Sequence, residues 1–131
     1  MAFKIKESHS NWVAVGMCHK NIVKSKNYGF NFSSIGHGAY MISANGGSWS
    51  NIKADQNNTI KVFFFFTQSF DFKKDDIIAV QVNFSNNTIN FKRNNNKHTL
   101  SFNKVPGDEL CPCVLFYYLN DEVEFLPNHK F

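Results

Sequence analysis

Residues 75–96, DDIIAVQVNFSNNTINFKRNNN, constrain the fold more than any other stretch of this chain. Ile78, Val80, Val82 and Phe84 alternate with Ala79, Gln81 and Asn83, the period-2 pattern of a half-buried strand. Ser85, Asn86 and Asn87 interrupt the pattern, and asparagine tolerates the positive φ that a tight turn demands. Alternation then resumes, with Ile89 and Phe91 inward and Thr88, Asn90 and Lys92 outward, until Asn94, Asn95 and Asn96 make a second turn. The stretch predicts an antiparallel hairpin.

Shorter strands are expected on both sides of it. Phe3-Lys4-Ile5-Lys6 alternates, and residues 12–18, WVAVGMC, read as a second strand paired with the first as a hairpin. Val13, Val15 and Met17 share one face there; Trp12, Ala14, Gly16 and Cys18 share the other, whose small residues suit a closely packed neighbour. Residues 19–38 read as a long irregular loop, pinned to the core by Phe30 and Phe32 with Tyr28 exposed. Residues 39–44 form a strand with Tyr40 and Ile42 on one face, followed by the turn Asn45-Gly46-Gly47 and by Ser48-Trp49. Residues 60–72 are largely apolar and predict a strand that is either buried on both sides or at one edge of the core. Thr99-Leu100-Ser101-Phe102, residues 110–118 (apolar on both faces, hence a central strand) and Glu122-Val123-Glu124-Phe125 complete the set, with Pro127 ending the last. No window of 11 or more residues shows helical periodicity. About nine short strands with frequent turns predict an all-β fold, an antiparallel β-sandwich of two sheets.

The same landmarks resemble the SPRY domain. Asp76-Ile77-Ile78, Asn83, Thr88-Ile89-Asn90-Phe91 and Asn94-Asn95 match its most recognisable stretch, except that Asp75 stands where the family usually has glycine. Trp12 to Met17, Ser48-Trp49 after a glycine turn, and Leu110 to Val123 with Pro112 supply three further matches. The resemblance spans about Phe3 to Phe125. It implies one domain over residues 1–131, core about 3–126, with a concanavalin-like jelly-roll architecture and without the N-terminal segment of the longer B30.2 form.

Composition narrows the function. The 131 residues carry a net charge of +4, but only Arg93 among the 14 basic residues is arginine, the usual base reader, and the lysines are scattered, which argues against nucleic acid. No apolar stretch is long enough to span a membrane, and the first ten residues have no apolar run, so no signal peptide is expected there. Three cysteines are too few for a disulfide scaffold, so an intracellular, cytoplasmic setting is expected. The Asn-x-Ser/Thr sequons at Asn31, Asn57, Asn83 and Asn86 reflect abundant asparagine. Gly-x-Ser-x-Gly, phosphate-loop and His-Glu-x-x-His motifs are absent, so no catalytic residue is assigned. Cys18 and Cys113 read as inert core thiols. Cys111-Pro112-Cys113 lacks the spacing and second ligand pair of a zinc site, so neither metal nor cofactor is assigned.

The resemblance implies a non-enzymatic module, monomeric in isolation, that grips a peptide or protein surface with loops at one end of the sandwich. It suggests the recognition or scaffold domain of a larger protein such as a ubiquitin-ligase component. Many peptide-binding members carry Val-Trp-Gly after the strand that ends at Leu115-Phe116; here Tyr117-Tyr118-Leu119 stand there, so that specificity is not carried over. Their first-loop arginine is also missing, with Lys20, Lys24 and Lys26 instead, which lack a bidentate fork. The expected partner-binding set is Lys20, Asn21, Tyr28, Trp49, Asn51, Tyr117, Tyr118 and Asn120, aromatics beside amides and a lysine. They would form one surface if three loops meet. Trp49 fits either a surface contact or a plug of the core. A lectin-like glycan-binding sandwich is the alternative reading, although Asp55, Asp71 and Asp75 are not clustered as a calcium site would need.

Overall fold

The computed structural model describes residues 1–9, 12–29, 36–51, 69–94, 99–104 and 109–131. Nine strands and one short helix lie among them: β1 (Ala2–Glu7), β2 (Ala14–Cys18), α1 (Lys20–Ser25), β3 (Ala39–Ser43), β4 (Ser48–Ser50), β5 (Ile77–Asn83), β6 (Thr88–Arg93), β7 (Thr99–Asn103), β8 (Cys111–Leu115) and β9 (Glu122–Leu126). They form two antiparallel sheets, one of five strands in the order β7-β6-β5-β1-β9 and one of four in the order β4-β3-β2-β8. The expected all-β sandwich is the architecture observed.

The hairpin β5–β6 stands as its alternation predicts. Val80 pairs with Phe91 and Val82 with Ile89. Asn83 Oδ1 accepts the N–H groups of Ser85 and Asn86 at 3.0 and 3.3 Å, and Asn87 takes φ 53°, so the turn is an Asx turn closed by a left-handed residue. Phe84 breaks the pattern: it belongs to the turn, is largely exposed, and lies under the Lys104 ammonium at 5.3 Å. Phe91 and Phe102 meet edge to face at 5.5 Å.

The core lies between the sheets. Phe3, Ile5, Ile78, Val80, Ile89, Phe91, Leu100 and Phe102 from the five-stranded sheet meet Val15, Met17, Tyr40 and Ile42 from the other. Each such side chain, fully buried, contributes about 1.5–3 kcal/mol of transfer free energy. Phe72 is also buried here, its N–H donating to Ala44 O at 2.9 Å. The chain ends meet beside β1, where the Met1 amino group donates to His129 O at 3.2 Å.

Four expectations are corrected. β1 and β2 are not a hairpin: β1 pairs with β5 and β9, whereas β2 pairs with β3 and β8, so the chain crosses between layers after Glu7. Alternation identifies strands but not partners. Residues 20–25 are helical, too short for a 3.6-residue period to register. β8 is an edge strand of its sheet among the described residues, not a central one, and its apolar outer face is only half-buried. Trp12 and Val13 precede β2 rather than belonging to it. Most of the expected 60–72 strand, together with Phe30, Phe32, Asn31, Asn57 and Asp55, lies outside the described residues.

Candidate interaction surface

Register decides which functional candidates share a place. In the four-stranded sheet Ala14 pairs with Leu115 and Ser43, while Cys18 pairs with Cys111 and Ala39. The turn after Leu115 and the helix after Cys18 therefore leave opposite ends of the sheet, roughly 13 Å apart at about 3.3 Å per residue. The eight candidates do not form one surface. Tyr117, Tyr118 and Asn120 belong to one end; Lys20, Asn21 and Asn51 belong to the other. Strand alternation alone gives no register, and so could not reveal this split.

At the first end, β8 runs out into residues 116–120. Phe116, Tyr117, Tyr118 and Leu119 are consecutive, and all are exposed, Leu119 fully. Tyr117 and Tyr118 meet edge to face at 5.0 Å. Tyr117 in turn meets Trp12 at 5.6 Å, and Trp12 meets Trp49 at 5.9 Å. Trp49 is only 3% exposed and packs with Ala14, Ala39 and Met41 on the outer face of the sheet. Of its two expected roles, burial assigns the plug: its side chain presents almost no surface to a partner. The ring series runs from this buried indole to the solvent at Tyr118. The far side of the turn is held by Asp121, whose Oδ1 accepts the His9 N–H at 2.8 Å while its side chain is wholly buried.

At the second end, α1 closes with a Schellman arrangement. Asn27 N–H donates to Lys24 O and Tyr28 N–H to Val23 O, both at 3.0 Å. Asn27 and Tyr28 take φ 51° and 58°. The left-handed region is common for asparagine and costly for tyrosine, yet the Tyr28 ring is 67% exposed. Val23 anchors the helix against Cys18 and Ala39. Lys20, Asn21 and Ile22 line a groove of about 270 Å³ whose other wall is Glu109, Leu110 and Cys111. Asn51 is buried and works internally: its Oδ1 accepts the Gly38 N–H at 2.7 Å and its carbonyl accepts the Gly36 N–H at 2.8 Å. Like Trp49, it offers little to a partner, because its polar groups hold residues 36–38 against β4. His37, also buried, accepts the Ala39 N–H on Nδ1 at 3.1 Å, and burial draws its pKa below the usual imidazole value.

Reading residues one at a time missed three contributors. Trp12 joins Trp49 to Tyr117; its expected place on one strand face with Ala14 gave no sign of either ring contact. Phe116 and Leu119 extend the exposed patch, and their exposure follows from the strand ending at Leu115. Among the described residues no group of three or more His, Cys, Asp or Glu side chains is placed to hold a metal ion. Among them, too, no helix is long and apolar enough to cross a membrane.

A family model for the SPRY domain matches residues 1–129. The crystal structure of the SPRY domain of human HERC1 superposes with a TM-score of 0.68 at 25% identity, covering 94% of this chain and 70% of that one. No curated protein sequence matches the chain. With the sandwich, the hairpin landmarks and a family match over nearly its whole length, the chain belongs to the SPRY family, whose members are in general protein-interaction modules.

Proposed function

We propose that this domain recognises a peptide or protein loop through the exposed turn at residues 116–120, acting within one structural unit over residues 1–131. One observation carries the reading: four consecutive large apolar side chains, Phe116 to Leu119, are exposed together and backed by rings leading to the buried Trp49. Exposed apolar clusters beside polar groups mark interaction sites, and rigid aromatics lose little entropy on binding. Asn120 supplies amide donors and acceptors at the rim. Lys20, Asn21 and Tyr28 form a separate patch at the other end, available to a second contact. Trp49 and Asn51 support the two ends from inside. The domain acts as the non-enzymatic recognition or scaffold element of a larger protein, such as a ubiquitin-ligase component, in the cytoplasm and as a monomer.

The test uses the native domain, a Tyr117→Ala/Tyr118→Ala variant and a Lys20→Ala/Asn21→Ala variant as baits, each verified to melt cooperatively. Bound partners are identified by mass spectrometry and their affinities then measured by calorimetry. Loss of a partner by the tyrosine variant alone supports the 116–120 surface. Equal retention by the tyrosine variant overturns it. The same rings could stack on sugars, so a glycan array distinguishes the lectin alternative. A steep fall of affinity with salt would point instead to nucleic acid.

A further inference from the structure

All three cysteines lie on the outer face of the four-stranded sheet, with Cys18 and Cys111 at the end opposite the 116–120 turn. Cys18 ends β2, Cys111 begins β8, and the two are directly paired across the strands. Their Sγ atoms are 3.6 Å apart, and the Cys111 thiol also lies 3.5 Å from the Cys18 carbonyl oxygen. Cys113, two residues along β8, pairs with Gly16 on the same face. All three are free thiols. Cys18 is buried, whereas Cys111 lines the open groove beside Lys20 and Asn21, so one member of this pair is reachable from solvent.

We propose that Cys18 and Cys111 are a reversible dithiol–disulfide pair, a redox modification site set at the base of the groove between α1 and residues 109–111, with low-molecular-weight disulfides as its oxidant. Three features favour it. Direct cross-strand pairing puts the two Cβ atoms about 4.5–5.5 Å apart, near the spacing of a disulfide. The sulfurs need close only from 3.6 Å to about 2.05 Å, a change within reach of side-chain rotation at the sheet edge. The groove admits a small oxidant to Cys111 but not to Cys18.

The chemistry balances. The Cys111 thiolate attacks one sulfur of the small disulfide and expels a thiolate, giving a mixed disulfide. The Cys18 sulfur then attacks the Cys111 sulfur, the Cys18–Cys111 bond forms, and the second small thiolate leaves. Two electrons pass from the cysteines to the small disulfide, and the two cysteine protons end on the released thiols. Burial raises the Cys111 pKa, and a hydrogen bond to Cys113 together with burial raises that of Cys18. Both hold the thiols protonated, so exchange is slow at neutral pH and quickens as pH rises.

The bond would join residues 93 apart in sequence. It would fix the start of α1's approach to the edge strand and reshape the groove wall that Cys111 supplies. The edge strand β8 would no longer separate from β2 at this end.

The test incubates the fully reduced native chain with excess oxidised glutathione at pH 8.5, in the absence of denaturant. Intact mass and a non-reducing digest read the product. The expected result is a monomer lighter by about 2 Da with the peptides of Cys18 and Cys111 linked, reversed by reduced dithiothreitol. The oxidised form should melt at least ~5 °C higher. A Cys113→Ser variant should form the same link, and a Cys111→Ser variant should not. A Cys18–Cys113 or Cys111–Cys113 link, disulfide-linked dimers, or no loss of mass overturns the proposal. The wild-type digest decides the matter even if a variant fails to fold.

Discussion

Asp76 and Asn94 hold the two ends of the central hairpin together. Asn94 Nδ2 donates to Asp76 Oδ1 at 2.7 Å, Asn94 Oδ1 accepts the Ile77 N–H at 2.7 Å, and Asp76 Oδ2 accepts the Lys73 N–H at 2.9 Å. Asn94 takes φ 48° to do so. Two residues that mark the family in sequence thus serve the frame rather than the binding surface. Asp76→Ala should cost about 1–2 kcal/mol, since it leaves two donors without their carboxylate. In a double-mutant cycle with Asn94→Ala, measured by urea denaturation, a coupling of at least ~0.5 kcal/mol is expected. Strict additivity would show that the contact contributes nothing.

Tyr28 is held in the left-handed region at φ 58° while its ring stands in solvent. Tyr28→Gly should therefore raise stability, by up to ~1 kcal/mol, because only glycine adopts this conformation without steric cost. If Tyr28 also contacts a partner, the same variant binds more weakly while melting higher. A lower melting temperature would mean that the ring makes stabilising contacts after all.

Gly16 lies where β2 and β3 approach closely. A Cβ there would fall 2.1 Å from Tyr40 O and 2.9 Å from Met41 Cα, both backbone atoms. Gly16→Ala must push the strands apart, at a cost of about 1–3 kcal/mol or more. Thermal melting of the variant measures it, and an unchanged midpoint would refute the close approach.

Trp49 and Tyr118 separate cleanly. Trp49→Ala removes a buried indole from the outer face of the sheet and should cost about 3–5 kcal/mol. Tyr118→Ala, at a half-exposed site, should change stability by less than ~1 kcal/mol. Chemical denaturation of the two variants side by side tests the contrast. Similar losses would mean that Tyr118 is as much a part of the packing as Trp49.

His37 makes stability depend on acid. Burial lowers its pKa in the folded chain below the ordinary 6.5, and Nδ1 must stay unprotonated to accept the Ala39 N–H. The unfolded chain therefore takes up a proton first as pH falls. This contribution is intact above pH 6.5 and is lost progressively below it, until the folded form protonates as well. Unfolding free energies at descending pH should show the loss in the native chain and a flatter profile in His37→Gln.

Much of the frame could be read directly. The β5–β6 hairpin was legible because each residue's direction follows from its neighbours, and the turn asparagines adopt the backbone they favour. The same logic placed Tyr40 and Ile42 on one face of their strand and Ala14, Gly16 and Cys18 on one face of theirs. Asp75, standing in the usual glycine position, keeps the left-handed conformation at φ 71°, which aspartate tolerates. What could not be read was long-range. The separation of β1 from β2, and of Lys20 from Tyr118, depends on pairings between distant residues, which local alternation does not encode. Trp49 was ambiguous for a related reason: whether a ring beside a glycine turn is covered depends on Trp12, which lies 37 residues away by the numbering of the two.

The meeting of Met1 with His129 has a practical meaning for how such a unit can be carried. Because the two ends emerge side by side, a fold of this kind can be inserted into a host polypeptide as a bead on a loop, the host opening at one peptide bond to receive it without being stretched. Fluorophores attached at the two ends would report unfolding as a large drop in energy transfer, a direct optical readout for every variant named above.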